Sequence, residues 1–239
     1  MKNYLIFGAS KGLGDAFAKG LPSSGDKVWI VSRTIPDSLN RSDGVQRIWI
    51  QADLSSNSVS DHIVATLKNE RVDVLIYNVG IWEKDGFEAH YDFEKDDPEY
   101  LASMIHVNIT SAIVCIQKLL NHLKQSNNGK IILIGSTAGL ENTNNSQVAF
   151  VTSKFGLRGI GSALREHVRK YEIDVTCINP GELAVEIPFE DGADKAISVY
   201  KGTRIPVQDM VEVVKCVVNL SKVSCVKEIH IPAMTDTNA

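Results

Sequence analysis

At its start the chain lacks a long apolar run: Tyr4-Leu-Ile-Phe7 breaks at Gly8, too short for a signal core or a membrane span. Basic residues are not in excess either. The 25 Lys and Arg face 29 Asp and Glu, for a net charge of -4, and no basic patch stands out, which argues against a nucleic acid or an anionic membrane as partner. Cysteine is scarce, and Cys115, Cys177, Cys216 and Cys225 show neither a C-x-x-C pair nor a metal-ligand spacing. Each lies in an apolar stretch, so four buried, reduced thiols are expected. Repeats and low-complexity tracts are missing as well. A cytoplasmic protein that holds no metal is expected.

What is present fits one compact domain. The 239 residues, 44% hydrophobic with 7 prolines, suffice for a core of two or three layers. Short runs rich in Val, Ile, Leu and Trp lie at Tyr4–Gly8, Lys27–Ser32, Gln46–Ala52, Val72–Asn78, Lys130–Gly135, Asp174–Asn179 and Glu228–Pro232. Most of them do not alternate with polar residues, as expected of parallel strands covered on both faces. Helical patterns fall between them, at Gly12–Lys19, Val59–Asn69, Pro98–Lys124, Val148–Lys170 and Val207–Leu220. The alternation predicts a single-domain α/β fold, a Rossmann-like doubly wound sheet of about seven parallel strands with helices on both faces. Two stretches fit the rhythm poorly, Ile81–Asp97 and Gly181–Pro206. Both follow the carboxyl end of a strand, the edge where open α/β sheets bind ligands.

Between the first strand and first helix stands Gly8-Ala-Ser-Lys-Gly12-Leu-Gly14. Glycines there permit a tight turn and let backbone amides approach a pyrophosphate, which the helix amino terminus also attracts. The turn offers Gly8, Ser10, Lys11, Gly12, Leu13 and Gly14 to a nucleotide. At the end of the second strand come Ser32, Arg33 and Thr34, with no acid to accept from a ribose 2′-hydroxyl. Arg33, with Lys11 as a second positive charge, instead suits a 2′-phosphate, which favours NADP(H).

In these residues and others the chain resembles the classical short-chain dehydrogenase/reductase family over nearly its whole length. Asp53-Leu54 is similar to the pair whose carboxylate accepts from the adenine amino group. Tyr77-Asn78-Val79-Gly80 is similar to Asn-Asn-Ala-Gly, with Asn78 and Gly80 matching. Asn108 matches an asparagine that holds a water against the active-site lysine, Ser136 and Lys154 resemble the catalytic serine and lysine, and Pro180-Gly181 matches the turn after the sixth strand. The resemblance implies hydride transfer between a nicotinamide and a small carbonyl or alcohol substrate, with Ser136 donating to the oxygen and Lys154 binding the nicotinamide ribose. It also implies that 181–206 is the substrate-binding segment, and that the helices over 98–124 and 148–170 pair into a homodimer or homotetramer.

One position departs sharply. In Val148-Ala-Phe-Val-Thr-Ser-Lys154, Phe150 stands where the family has the tyrosine that transfers the proton. Phenylalanine keeps the ring and deletes the hydroxyl, and general acid catalysis is worth roughly 10²–10⁴-fold. Two origins stay open: an engineered inactive variant of an intact enzyme, or a natural departure. The latter includes an enzyme with another acid, for which His90 and His106 are candidates, and a non-catalytic NADP(H)-binding regulatory or scaffold protein. Phe7 and Val185 stand where the family commonly has threonine. Ser136 is fourteen residues before Phe150, one more than the family spacing, so 141–146 is expected to bulge. Over Ile81–Asp97 the acids, Glu83 among them, are expected to be solvated around a few anchoring aromatics, with an aromatic-acidic lid over a polar or cationic substrate as the alternative. Tyr200 is the only phenol in 181–206.

Overall fold

The computed structural model describes residues 1–140 and 145–236. Among the described residues seven strands form one sheet: β1 (Asn3–Phe7), β2 (Lys27–Ser32), β3 (Gln46–Gln51), β4 (Val74–Tyr77), β5 (Lys130–Ile134), β6 (Asp174–Pro180) and β7 (Glu228–Ile231). Every pairing is parallel, and the order is β3-β2-β1-β4-β5-β6-β7. The fold is therefore the doubly wound, Rossmann-like arrangement expected. Bounds shift by a residue or two, as at β4, where the run expected from Val72 pairs only from Val74.

The strands lack polar alternation because both faces are covered. Leu5, Phe7, Trp29 and Val31 pack on one side with α2 (Val59–Leu67) and with Ala112, Cys115, Ile116, Leu119 and Leu157. Their neighbours Tyr4, Ile6, Val28 and Ile30 pack on the other with Phe17 of α1 (Gly12–Gly20) and Met210, Val211 and Val214. Successive strand side chains point to opposite faces, so an unbroken apolar run fills two cores at once.

The helix expected over Pro98–Lys124 is three pieces: α3 (Pro98–Ile105), a π turn at His106–Thr110 and α4 (Ser111–Leu123). Such turns insert an extra residue and re-aim nearby side chains; here the turn carries Asn108. The remaining helices are α5 (Val148–Val168), α6 (Ala193–Tyr200) and α7 (Val207–Asn219). α6 lies inside 181–206, where the sequence pattern predicts no helix. By length and composition 98–123 could also cross a membrane, yet Met104, Ala112, Cys115, Ile116, Leu119 and Leu123 are buried in the protein.

Two further expectations change. Cys115 and Cys177 are buried, but Cys216 and Cys225 are exposed, because on α7 the apolar run has a wet side and 221–225 is surface turn. The expected bulge falls mainly on 141–144, outside the described residues.

The chain runs outward from β1 through β2 to β3, then returns to lay β4 against β1. The switch lies between β1 and β4, paired from Tyr4–Val74 to Phe7–Tyr77. The crevice of such a sheet opens at the carboxyl ends of those two strands, where Gly8 and Asn78 sit.

Candidate active site

Gly8 has φ +71°, and a Cβ there would lie 2.3 Å from the Asn78 carbonyl oxygen. A Cβ on Gly14 would lie 2.2 Å from the Gly8 oxygen and 2.8 Å from Asn78 Nδ2. The amide of Asn78 donates to that Gly8 oxygen at 3.1 Å. Strand end, glycine turn and helix start are thus in contact, and only glycine fits there. The N-cap Lys11 is extended and gives no side-chain cap, so the first N–H groups of α1 remain open to an anion. Such a cradle fits a dinucleotide pyrophosphate.

Arg33 is exposed just past β2. It helps Ser55, whose backbone N–H is the main cause, to hold the Asp53 carboxyl below the usual range. Leu54 is buried between strand and helix. Ser32 faces inward: its hydroxyl donates to the Thr34 oxygen and accepts from Trp49 Nε1. On the opposite side of the crevice Pro180 ends β6, and the Gly181 N–H donates to the Ile231 oxygen at 2.9 Å. The chain then turns back so that Val185 approaches Gly12, 3.3 Å from where its Cβ would lie.

Lys154 is buried, and its ammonium donates to the Ile134 oxygen at 3.2 Å. A Cβ on Gly80 would lie 3.2 Å from Nζ, which puts the ammonium beside the end of β4. Desolvation lowers its pKa from 10.5 to about 8. Its nitrogen stands 5.5 Å from the Phe150 ring centroid. Four residues apart on α5, the two side chains share a face. Ser136 caps the short turn Thr137–Gly139, its Oγ accepting from the Ala138 N–H at 3.2 Å. Gly139 touches α5 so closely that a Cβ would sit 2.8 Å from the Lys154 carbonyl. Glycine there lets the serine loop rest against the lysine helix.

Asn108 is fully buried in the π turn. Its Oδ1 accepts from the Ile81 N–H at 2.9 Å, while Nδ2 donates to the Ile81 oxygen at 2.8 Å and to Ser153 Oγ at 3.0 Å. Ser153 in turn donates to the Phe150 oxygen. Asn108 therefore joins three segments: the stretch after β4, the π turn and α5. Its amide is engaged with Ile81 and Ser153 rather than with Lys154.

Glu83 was misread. It is fully buried, because its Oε1 accepts from the backbone N–H groups of Ala149 at 2.7 Å and Phe150 at 3.1 Å. The carboxylate meets two of the unpaired donors that begin every helix, and its charge suits that end of the dipole. The available signal was negative: Gln147, before α5, is not among the favoured capping residues. Above it Phe87 sets an edge contact on Phe150, and Trp82 on Phe87. His90 is exposed, and His106 lines a small cleft with Ser56, Asn57 and Thr110. The Tyr200 hydroxyl donates to Glu186 within its own segment.

The family model described as short chain dehydrogenase matches residues 2–195. A Pseudomonas aeruginosa protein, the rhamnolipids biosynthesis 3-oxoacyl-[acyl-carrier-protein] reductase, is 30% identical over 192 residues, 74% of this chain and 71% of that protein. The Rattus norvegicus 17-beta-hydroxysteroid dehydrogenase type 3 is 31% identical over 142 residues, 57% of this chain but only 45% of that longer protein. The solved Pseudomonas aeruginosa RhlG/NADP active-site complex superposes with a TM-score of 0.77 at 25% identity, covering 97% of this chain and 94% of the other.

Proposed function

Because this chain belongs to the short chain dehydrogenase family, we propose that it is built as an NADP(H)-dependent oxidoreductase interconverting a carbonyl and an alcohol, with its proton-donor position occupied by Phe150. The observation that carries this reading is the Lys154 ammonium, buried beside Gly80 and 5.5 Å from the Phe150 ring. A tyrosine at 150 would bring its hydroxyl to that face of the helix, where an ammonium lowers a phenol's pKa.

In this reading Gly8, Ser10, Lys11, Gly12, Leu13 and Gly14 hold the pyrophosphate, Arg33 the 2′-phosphate, and Asp53 and Leu54 the adenine. Asn78, Gly80, Pro180 and Gly181 border the nicotinamide end, where Lys154 binds the ribose. A bound nicotinamide supplies or accepts the hydride. Ser136 donates a hydrogen bond to the substrate oxygen, on which negative charge grows during reduction. Asn108 holds the backbone of Ile81 and, through Ser153, the start of α5. With no phenol at 150, the chain should bind cofactor and turn over slowly or not at all.

The second reading is a non-catalytic NADP(H)-binding regulatory or scaffold protein, favoured by Phe150 itself and by the Phe87 ring resting on it. A homo-oligomer joined through α4 and α5 accompanies either reading, supported by exposed Ile113 and Phe155. A cytoplasmic location is part of the same proposal.

The test compares NADPH oxidation by this chain and by Phe150→Tyr across a panel of aldehydes and ketones, with NADPH binding measured in both. Turnover confined to the tyrosine protein supports the oxidoreductase reading. Binding by both with turnover by neither favours the regulatory one, and failure of both to bind NADPH removes the two together.

A further inference from the structure

The turn bearing Ser136 follows Gly135, whose N–H donates to the Ile178 oxygen at 2.7 Å, and its Ala138 packs with Ala149 and Phe150. Among the described residues the turn's own N–H groups bond within it: Gly139 N–H to the Ser136 oxygen and Leu140 N–H to the Thr137 oxygen, both 2.9 Å, with the Ala138 N–H to Ser136 Oγ. They shape the turn but do not fix its place relative to Lys154. Packing of Gly139 on the Lys154 backbone sets a distance of approach and no direction.

Arg158, one turn beyond Lys154 on α5, supplies the direction. Its Nη1 donates to the Gly139 oxygen at 2.8 Å, while Nε and Nη2 reach the two carboxylate oxygens of Glu228 at 2.5 Å and 3.3 Å. Glu228, on β7, also accepts from Asn179 Nδ2 at 2.8 Å. Asn179 is fully buried on β6, and its Oδ1 fills the space of a Cβ on Gly135, 2.0 Å from where that atom would lie. Helix α5 and strands β6 and β7 thus converge under residues 135–139. A guanidinium gripping a carboxylate with two bonds has one orientation, which leaves Nη1 aimed at a fixed point. The pairing also lowers the Glu228 carboxyl pKa and raises that of Arg158.

We infer that Arg158, held by Glu228 and Asn179, is the positioning residue that sets the Ser136 turn against Lys154. The inference deepens the oxidoreductase reading and rests on it for its effect on turnover, but not for its effect on the turn. Arg158→Lys can reach Gly139 or Glu228 but cannot fork between them, and Arg158→Met reaches neither.

Hydrogen exchange on the full chain tests the placement directly. In Arg158→Met the amides of Ala138, Gly139 and Leu140 should exchange about tenfold faster, as loss of one charge-assisted hydrogen bond allows. Those of β5 and the first turns of α5 should stay within about twofold, with Arg158→Lys between parent and Met variant. In the Phe150→Tyr background, Arg158→Met should lower kcat about tenfold or more at unchanged KM for NADPH, since Ser136 acts on the substrate oxygen. Unchanged exchange at 138–140, or an equal rise throughout β5 and α5, overturns the inference, and so does a fall in NADPH affinity with no fall in kcat. If Phe150→Tyr reduces no carbonyl, the oxidoreductase reading is at fault, and the exchange pattern still decides the role of Arg158.

Discussion

Replacing Lys154 by methionine should make the nucleotide-free protein more stable. The ammonium is buried with one hydrogen bond, to the Ile134 oxygen, and burial takes its pKa from 10.5 to about 8. At about 1.4 kcal/mol per pKa unit, holding it charged inside the fold costs about 3 kcal/mol. The lost hydrogen bond returns about 1 kcal/mol of that, so the methionine protein should gain about 2 kcal/mol at pH 7, or a Tm about 4–8 °C higher. The gain has a defined pH dependence. Below about pH 8 the lysine is charged whether the chain is folded or not, and the full cost is present. Between about 8 and 10.5 the folded chain gives up its proton before the unfolded chain does, so the parent recovers stability as pH rises. Urea unfolding of both proteins at pH 7, 9 and 10.5 should therefore show the advantage of methionine shrinking towards nothing. A methionine protein less stable at pH 7, or an advantage that does not decline across that window, refutes the reasoning.

Glu83→Ala should lower stability by about 1–2 kcal/mol, the scale of a lost helix cap, and loosen Ala149 and Phe150 first; equilibrium unfolding with amide exchange reads both. Gly14→Ala puts a methyl 2.2 Å from the Gly8 oxygen and 2.6 Å from Ala9 Cα, so NADPH binding should be abolished and stability fall by several kcal/mol, seen by calorimetry and unfolding. Arg33→Ala should weaken NADPH binding about tenfold or more while leaving NADH nearly unchanged, as loss of one charged phosphate contact predicts; equal effects on the two cofactors would remove the 2′-phosphate assignment. Cys216 and Cys225, being exposed, should react with a thiol reagent in the native protein, while Cys115 and Cys177 wait for unfolding. A mass count of labelled sites checks this.

The layers and the ends of the sheet are legible along the chain. Runs such as Tyr4-Leu-Ile-Phe7 specify strands wet on neither face, and glycine at 8 and 14 is required because backbone and Asn78 already occupy the space of a Cβ. Lys154 and residue 150 share a face simply by lying four apart on a helix. These are local facts, fixed by dihedral preference and period, and so legible along the chain. Features that depend on partners distant in sequence emerge only from the folded arrangement. Glu83 looked like one more loop acid until α5 brought two unpaired N–H groups to it, and the helix over 98–124 looked unbroken until Asn108 met Ile81 and Ser153 across a π turn. Cys216 and Cys225 lay in apolar runs whose wet side only packing could reveal. Arg158 belonged to no motif, since its partners Gly139 and Glu228 stand 19 and 70 residues away. Burial and hydrogen-bond satisfaction are properties of an assembled neighbourhood, and a neighbourhood exists only once the chain has closed on itself.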